Sequence, residues 1–221
     1  MANISNTSAK IAEKKIRKYI AGNGAKLMTA MWVLLSCAAL ALLGALTASV
    51  DYRNILLYLA GVFGAFTLIF LVVSANINGG AAKSIKALKA SGELERAAAE
   101  LDAVNSIVLG DNKGLATEHY LAGRNTGSIL RYEDILLFYP SAVTNNGQIA
   151  TNFIAAYTAD REKITAVNLG PGDASQVISI IVEKIKNANP DVIYGFSKEL
   201  LEEYRKLRKS LKDKAADEVS Q

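Results

Sequence analysis

The sequence predicts an α+β membrane protein: a transmembrane helical hairpin followed by a cytoplasmic antiparallel β-meander, capped by C-terminal helices. Two stretches without a charged side chain, Leu27 to Val50 and Ile55 to Val73, are each close to the ~20 residues a helix needs to cross the hydrocarbon. Strand-like segments separated by turn groups fill the middle of the chain, and two helical patterns with apolar stripes end it. The expected divisions are a cytoplasmic amphipathic segment over 1–26, the hairpin over 27–77, a helical connector over 78–103, a soluble domain over 104–196 and a charged helix over 197–221.

In a chain of 221 residues, two bilayer spans leave room for one modest globular domain. Hydrophobic residues make up 51% and concentrate in one stretch, as a membrane segment requires. The net charge of +4 raises the question of nucleic acid, so its placement matters. Residues 1–103 hold 11 Lys+Arg against 6 Asp+Glu, leaving 14 against 15 for the remainder. The surplus therefore precedes the first span, in Lys10, Lys14, Lys15, Arg17, Lys18 and Lys26, and nucleic acid is not expected as a partner. Cys37 is the only cysteine and lies in the first apolar run, which excludes an internal disulfide and a cysteine zinc cluster.

Before the first span, Ile11, Ile16, Tyr19 and Ile20 fall near helical spacing among basic residues, with Ser8 as a plausible N-cap. This segment either lies on the inner leaflet, with Lys14, Lys15, Arg17 and Lys18 contacting headgroups, or extends the first span into the cytoplasm; Gly22 and Gly24 favour a break. The spans are joined by Asp51, Tyr52, Arg53 and Asn54, which makes them antiparallel neighbours. A turn centred near Tyr52 and Arg53 sets Gly44 opposite Gly61 and Ala41 opposite Gly64, small residue against small residue. Basic residues before the first span and after the second, at Lys83, Lys86 and Lys89, put both termini in the cytoplasm.

Gly79 and Gly80 mark the exit from the second span, followed by helices over Ala81–Ala90 and Glu93–Ala103 that break at Ser91 and Gly92. Strands are expected over Ser106–Leu109, Gly114–Leu121, Ser128–Tyr139, Ile149–Thr158 and Lys163–Leu169, paired as successive hairpins. Asp173 opens a helix with Gln176 in capping-box position and an apolar face of Val177, Ile178, Ile181, Val182 and Ile185, which Asn189-Pro190 stops. A short Val192-Ile193-Tyr194 strand and a last helix capped by Ser197 and striped by Leu200, Tyr204, Leu207 and Leu211 complete the chain. Because the strands can close against the Ile181 face, the domain is expected to fold by itself from about Val104.

The strand meander, the closing helix and the central Ile129-Leu130-Arg131-Tyr132-Glu133-Asp134-Ile135 resemble the bacterial pleckstrin-homology-like (GRAM-like) domains over about Val104 to Ala188. That resemblance implies a curved sheet closed by a helix, with a turn motif at Tyr132, Glu133, Asp134 and Ile135, in a two-span protein of the bacterial cytoplasmic membrane.

His119, the only histidine, is expected as a half-buried strand residue on one face with Leu115, Thr117 and Leu121. Without a second histidine or a cysteine in the soluble part, neither a nucleophile-base pair nor a histidine-rich metal site can be assembled, and no cofactor is expected. Glu133 and Asp134 read as a turn, since adjacent strand residues point to opposite faces. Gly170-Pro171-Gly172-Asp173 precedes a helix, but Asp173 would cap the amides an anion needs. The basic run Arg205 to Lys214 reads as a solvated helix face. The expected function is a membrane-tethered, non-enzymatic binding or scaffolding module for a protein partner, or else an accessory subunit of a channel or transporter, or a lipid-handling enzyme; the expected partners are membrane lipids and either another protein or further copies of this chain in a homo-oligomer.

Overall fold

The computed structural model describes residues 2–110, 113–145, 148–170 and 175–219. It is a mixed α+β protein in which two long apolar helices precede two antiparallel sheets and C-terminal helices.

Helix α1 (Ala2–Ile20) meets α2 (Gly22–Thr47) at a turn on Ala21, and α3 (Val50–Ala90) follows after only Ala48 and Ser49. Both α2 and α3 are long and apolar enough to cross a membrane, and only 11% of each apolar window is buried, so the outward faces carry uncovered Trp32, Leu46, Tyr58 and Leu68. Their mutual seam is built from small residues. Ala60, Thr67 and Ser74 of α3 are buried at intervals of seven, as are Met31, Ala38 and Ala45 of α2, a spacing that keeps one stripe facing the partner helix. On α3 the same repeat continues through Ala81 and Leu88, beyond the hairpin.

Three expectations about these helices need correction. Asp51 to Asn54 form the first turn of α3 instead of the connection, so the turn is tighter and the register shifts. Gly44 consequently faces Leu56, whose Cδ1 would lie 3.4 Å from an added Cβ, while Gly61 and Gly64 would meet nothing within 4 Å. The helix does not end at Gly79 and Gly80 either: Gly80 admits the turn that carries Gly127, since a Cβ there would sit 3.0 Å from the Gly127 carbonyl oxygen. Ser8 lies inside α1, which begins at Ala2, and the break falls at Ala21, before both Gly22 and Gly24.

After Gly92, whose φ is +73°, α4 (Leu94–Glu100) runs into a sheet of β1 (Ile107–Leu109), β2 (Gly114–Ala116), β3 (Tyr120–Gly123) and β4 (Ser128–Arg131) in sequential order. A second sheet has the order β7-β6-β5-β8, from β5 (Ile135–Asn145), β6 (Gln148–Thr158), β7 (Ile164–Gly170) and β8 (Ile193–Tyr194), the last pairing parallel to β5. Helices α5 (Ser175–Ala188) and α6 (Lys198–Val219) flank β8.

Two expected strands are divided. Gly114–Leu121 splits into β2 and β3 because Thr117 and Tyr120 close a tight turn, with Thr117 N–H on the Tyr120 carbonyl at 2.9 Å and Tyr120 N–H on Thr117 Oγ1 at 3.0 Å. His119 therefore lies in a turn, not a strand. Ser128–Tyr139 breaks at a 3-10 turn over Tyr132–Asp134, where the chain passes from one sheet to the other.

The first sheet is covered on both faces at its centre, so β2 and β3 show no alternation of buried and exposed residues. Between the sheets, Leu121, Tyr132, Ile135, Phe138 and Ile154 meet Ile181 and Ile185 of α5. The outer face of the first sheet, with Leu115, Tyr120, Ala122 and Ile129, is covered by Ile16 and Ile20 of α1, Ile85 and Leu88 of α3, and Leu94 and Ala97 of α4. The outer face of the second is covered by Tyr204, with Leu200 and Leu207, of α6. Ser197 Oγ accepts the Leu200 N–H at 3.2 Å, the cap expected for α6. Strand β8 pairs with Leu137 and Phe138 alone among the described residues, so β5 is an edge strand from Tyr139 onward; β7 still backs β6 as far as Asn152, and Val143–Asn145 with the facing end of β6 form a two-stranded arm that carries half-exposed Val143.

Candidate functional site

Where α3 leaves the hairpin seam and enters the domain, a groove of about 750 Å³ opens between α3, β4, the β6–β7 turn and α6. Lys83 and Lys86 line it from α3, Arg131 from β4, and Arg161 from the turn. Thr158 fixes that turn: its N–H donates to the Arg161 carbonyl at 2.9 Å, and its hydroxyl accepts the Arg161 N–H at 3.1 Å. The Arg161 side chain then reaches α3, where Nη1 donates to Ser84 Oγ at 3.1 Å. Ser84 in turn donates to the Gly127 carbonyl at 3.2 Å, so one serine joins α3 to the β3–β4 turn and the β6–β7 turn.

The cations of the groove differ in their pairing. Arg131 is fully engaged: Nε and Nη2 bond Asp134 at 2.9 and 2.8 Å, and Nη1 lies 3.2 Å from Glu133. The Asp134 bonds outweigh burial and raise the Arg131 pKa further. Among the described residues no carboxylate lies within ion-pair distance of Lys83, Lys86 or Arg161. Burial lowers the Arg161 pKa, the sign expected of a cation desolvated without a compensating charge.

A second polar cluster ties α4 to the β2–β3 turn. Glu100 Oε2 accepts Thr117 Oγ1 at 2.7 Å and the His119 N–H at 3.0 Å, while Oε1 lies 2.7 Å from His119 Nδ1. Burial pushes the Glu100 pKa up, but these bonds together hold it below the ordinary carboxylate value. The Tyr120 hydroxyl donates to Glu93, which lowers that carboxyl, while burial and Glu93 push the tyrosine up. Lys184 Nζ and the Tyr132 hydroxyl both donate to the Thr117 carbonyl, at 2.9 and 3.2 Å. Glu100, Thr117, Tyr120 and Glu93 bond one another or the turn they hold, so the cluster acts as a clasp.

The residues singled out from sequence are distributed differently from expectation. Ala41 is buried in the helix seam and Gly44 lies beside Leu56, whereas Gly61 and Gly64 do not oppose them. Most of the apolar side of α1 is covered by protein: Ala12, Ile16 and Ile20 are buried in the domain while Ile11 stays exposed, Lys15 pairs with Asp102 at 2.6 Å, and Arg17 pairs with Glu13 at 3.2 Å. Lys14 and Lys18 remain exposed. Tyr132 is a core residue, Glu133 and Asp134 form the turn that binds Arg131, and Ile135 is fully buried. In the basic run of α6, Arg208 pairs with Glu162 and donates to the Ala159 carbonyl at 2.8 Å. Asp173 and most of the Gly170–Asp173 stretch lie outside the described residues.

Arg161 and Ser84 had no local signal, since Asp160-Arg161-Glu162 reads simply as a turn. Their meeting depends on the tertiary approach of a β-turn to a helix far away in sequence. Comparison with models of protein families, with curated proteins and with solved structures gives no match.

Proposed function

We propose that this chain is a membrane-tethered binding module that presents a pleckstrin-homology-like domain to a protein partner at the cytoplasmic face of a bacterial membrane. The observation that carries this reading is the unbroken course of α3. Its seam residues Ala60, Thr67 and Ser74 face α2, and the next two repeats, Ala81 and Leu88, lie in the domain. A domain joined in this way is held at a fixed distance and angle from the hairpin, as a docking platform requires and a flexible linker does not provide. Two sheets of successive antiparallel hairpins, closed by α5, support the pleckstrin-homology-like assignment, and the surplus of basic residues ahead of α2 supports the orientation. The β5 edge beyond Tyr139 offers unpaired backbone groups to which a partner strand can add.

A second reading, an accessory subunit of a membrane complex, is favoured by outward-facing Gly61 and Gly64, where another helix could approach closely. Photo-crosslinking amino acids at Val143 on the arm and at Ala65 on the outward face of α3 separate the two in intact membranes. A discrete protein adduct at Val143 supports the binding module, an adduct with another membrane protein at Ala65 supports the subunit, and lipid adducts alone at both positions overturn both.

A further inference from the structure

We propose that the groove between α3 and the β6–β7 turn is a binding site for a phosphate-bearing anion, held by Arg161, Lys83 and Lys86. This deepens the reading of the chain as a binding module by naming a ligand class for it. Three cationic side chains from two separate elements line one groove, and none has a carboxylate within ion-pair distance among the described residues. The acidic groups of the groove are Glu133 and Asp134, both committed to Arg131, and Asp160, which lies beyond ion-pair distance of every cation described. With Arg131 set against its own partners, the groove keeps a positive surplus even after Asp160 is counted.

Arg161 is the centre of the site. Its guanidinium is partly buried, and the bond from Nη1 to Ser84 Oγ uses one of five donors. Nη2 lies 3.5 Å from where a Cβ on Gly80 would stand, which places the guanidinium directly beside α3. A planar fork with free donors and two ammonium groups one helical turn apart suits tetrahedral phosphate oxygens better than a single carboxylate. The cost of desolvating Arg161 is offset when an anion occupies the groove.

Phosphate can come from a lipid headgroup or from a soluble molecule, and geometry favours the second. The apolar run ends at Val73, and Ser84 stands eleven residues further along an unbroken helix, about 16 Å at 1.5 Å per residue. The headgroup layer adds only about 5–7 Å beyond the hydrocarbon, which leaves Arg161 below the reach of a lipid that stays in its leaflet. A soluble phosphorylated molecule is the occupant this placement selects.

The test uses the full chain in phosphatidylcholine nanodiscs titrated with pyrophosphate and with inorganic phosphate, followed by thermal shift and calorimetry at two salt concentrations. Saturable, salt-sensitive binding of pyrophosphate is expected, weakened about tenfold by Arg161→Gln and by the double variant Lys83→Ala/Lys86→Ala. The two lysines are exposed, so the double variant keeps the ligand-free melting temperature and separates lost binding from lost folding. Nanodiscs containing phosphatidylglycerol form the other arm. Stabilisation there that depends on Arg161 and the two lysines, without a pyrophosphate response, assigns the same site to a lipid phosphate. Absence of both responses, or responses that both variants leave unchanged, overturns the proposal. The adduct at Val143 is read independently, so failure of the groove and failure of the docking platform remain distinguishable.

Discussion

Replacing Gly127 by alanine tests the junction between the hairpin and the domain most directly. Gly127 has φ +71°, and a Cβ there would sit 2.2 Å from the Ile77 carbonyl oxygen of α3. The left-handed backbone costs an L-residue about 1–2 kcal/mol. Relief of the contact needs a shift of more than about 1 Å to reach van der Waals distance, against helix backbone that cannot rotate away. That shift breaks the Gly127 N–H bond to the Ile20 carbonyl at 2.9 Å and the Ser84 bond to the Gly127 carbonyl at 3.2 Å. At about 1 kcal/mol for each bond, the whole cost is about 3–4 kcal/mol. Gly92→Ala supplies the control, because its φ of +73° is similar and nothing lies within 4 Å of the added Cβ. The difference between the variants, about 2 kcal/mol, corresponds to about 30-fold in an opening equilibrium. Hydrogen-deuterium exchange of the full chain in nanodiscs should show α1 peptides exchanging faster by about that factor in Gly127→Ala than in Gly92→Ala. Equal exchange in the two variants would refute the described contact between the turn, α1 and α3.

Within the hairpin, Ala45→Leu should weaken helix pairing by forcing a larger side chain into a position only 3% exposed, whereas Gly61→Leu should leave pairing within one chain intact; intramolecular disulfide crosslinking between engineered cysteines on α2 and α3 reads this. A chain truncated to begin at Val104 loses α1, α3 and α4 and exposes Leu115, Tyr120, Ala122 and Ile129, so it should aggregate or melt without cooperativity, and a sharp thermal transition by circular dichroism would count against this packing. The Glu100 clasp should weaken in acid. Its folded pKa lies below the ordinary 4.5, so its stabilisation is complete above that value and is lost as pH falls through the lower, folded one. Glu100→Gln should flatten that acid limb in near-ultraviolet circular dichroism of the tyrosines, and an unchanged limb would remove Glu100 from the account.

Elements whose formation depends on local pattern were legible in the sequence. The spans follow from uninterrupted apolar runs, α5 from the spacing of Ile178, Ile181 and Ile185, the stop at Ala188 from Asn189-Pro190, and the α6 cap from Ser197. Choices among tertiary alternatives were not. The Thr117 hydroxyl converts what reads as one strand into a turn, and nothing in the alternation of Leu115, Thr117, His119 and Leu121 announces it. A hairpin turn two residues long in place of four moved Gly61 off the seam and brought Ala60 onto it. The amphipathic stripe of α1 was visible, but a stripe states only that something covers it; a sheet face and a membrane surface satisfy the same periodicity. Arg161 and Glu100 were the least legible, since each draws its role from a partner on a different element.

The cover that α1 provides has a consequence for the order in which the protein can be made. The ribosome releases Ile16 and Ile20 before either span, yet the surface they protect, Leu115 to Ile129, is synthesised after both. During that interval the apolar stripe of α1 has no protein to rest on, and a bilayer surface is the nearest apolar surface available to it. The helix that ends as part of a folded domain therefore begins life as a surface-seeking peptide, with its exposed lysines turned to the headgroups. Completion of β2 to β4 then draws it away. Biogenesis would thus pass through the very leaflet-bound state that the mature fold replaces, and pulse-chase accessibility of a cysteine introduced into α1, in a chain with Cys37 replaced, to an aqueous thiol reagent should change when the first sheet is complete.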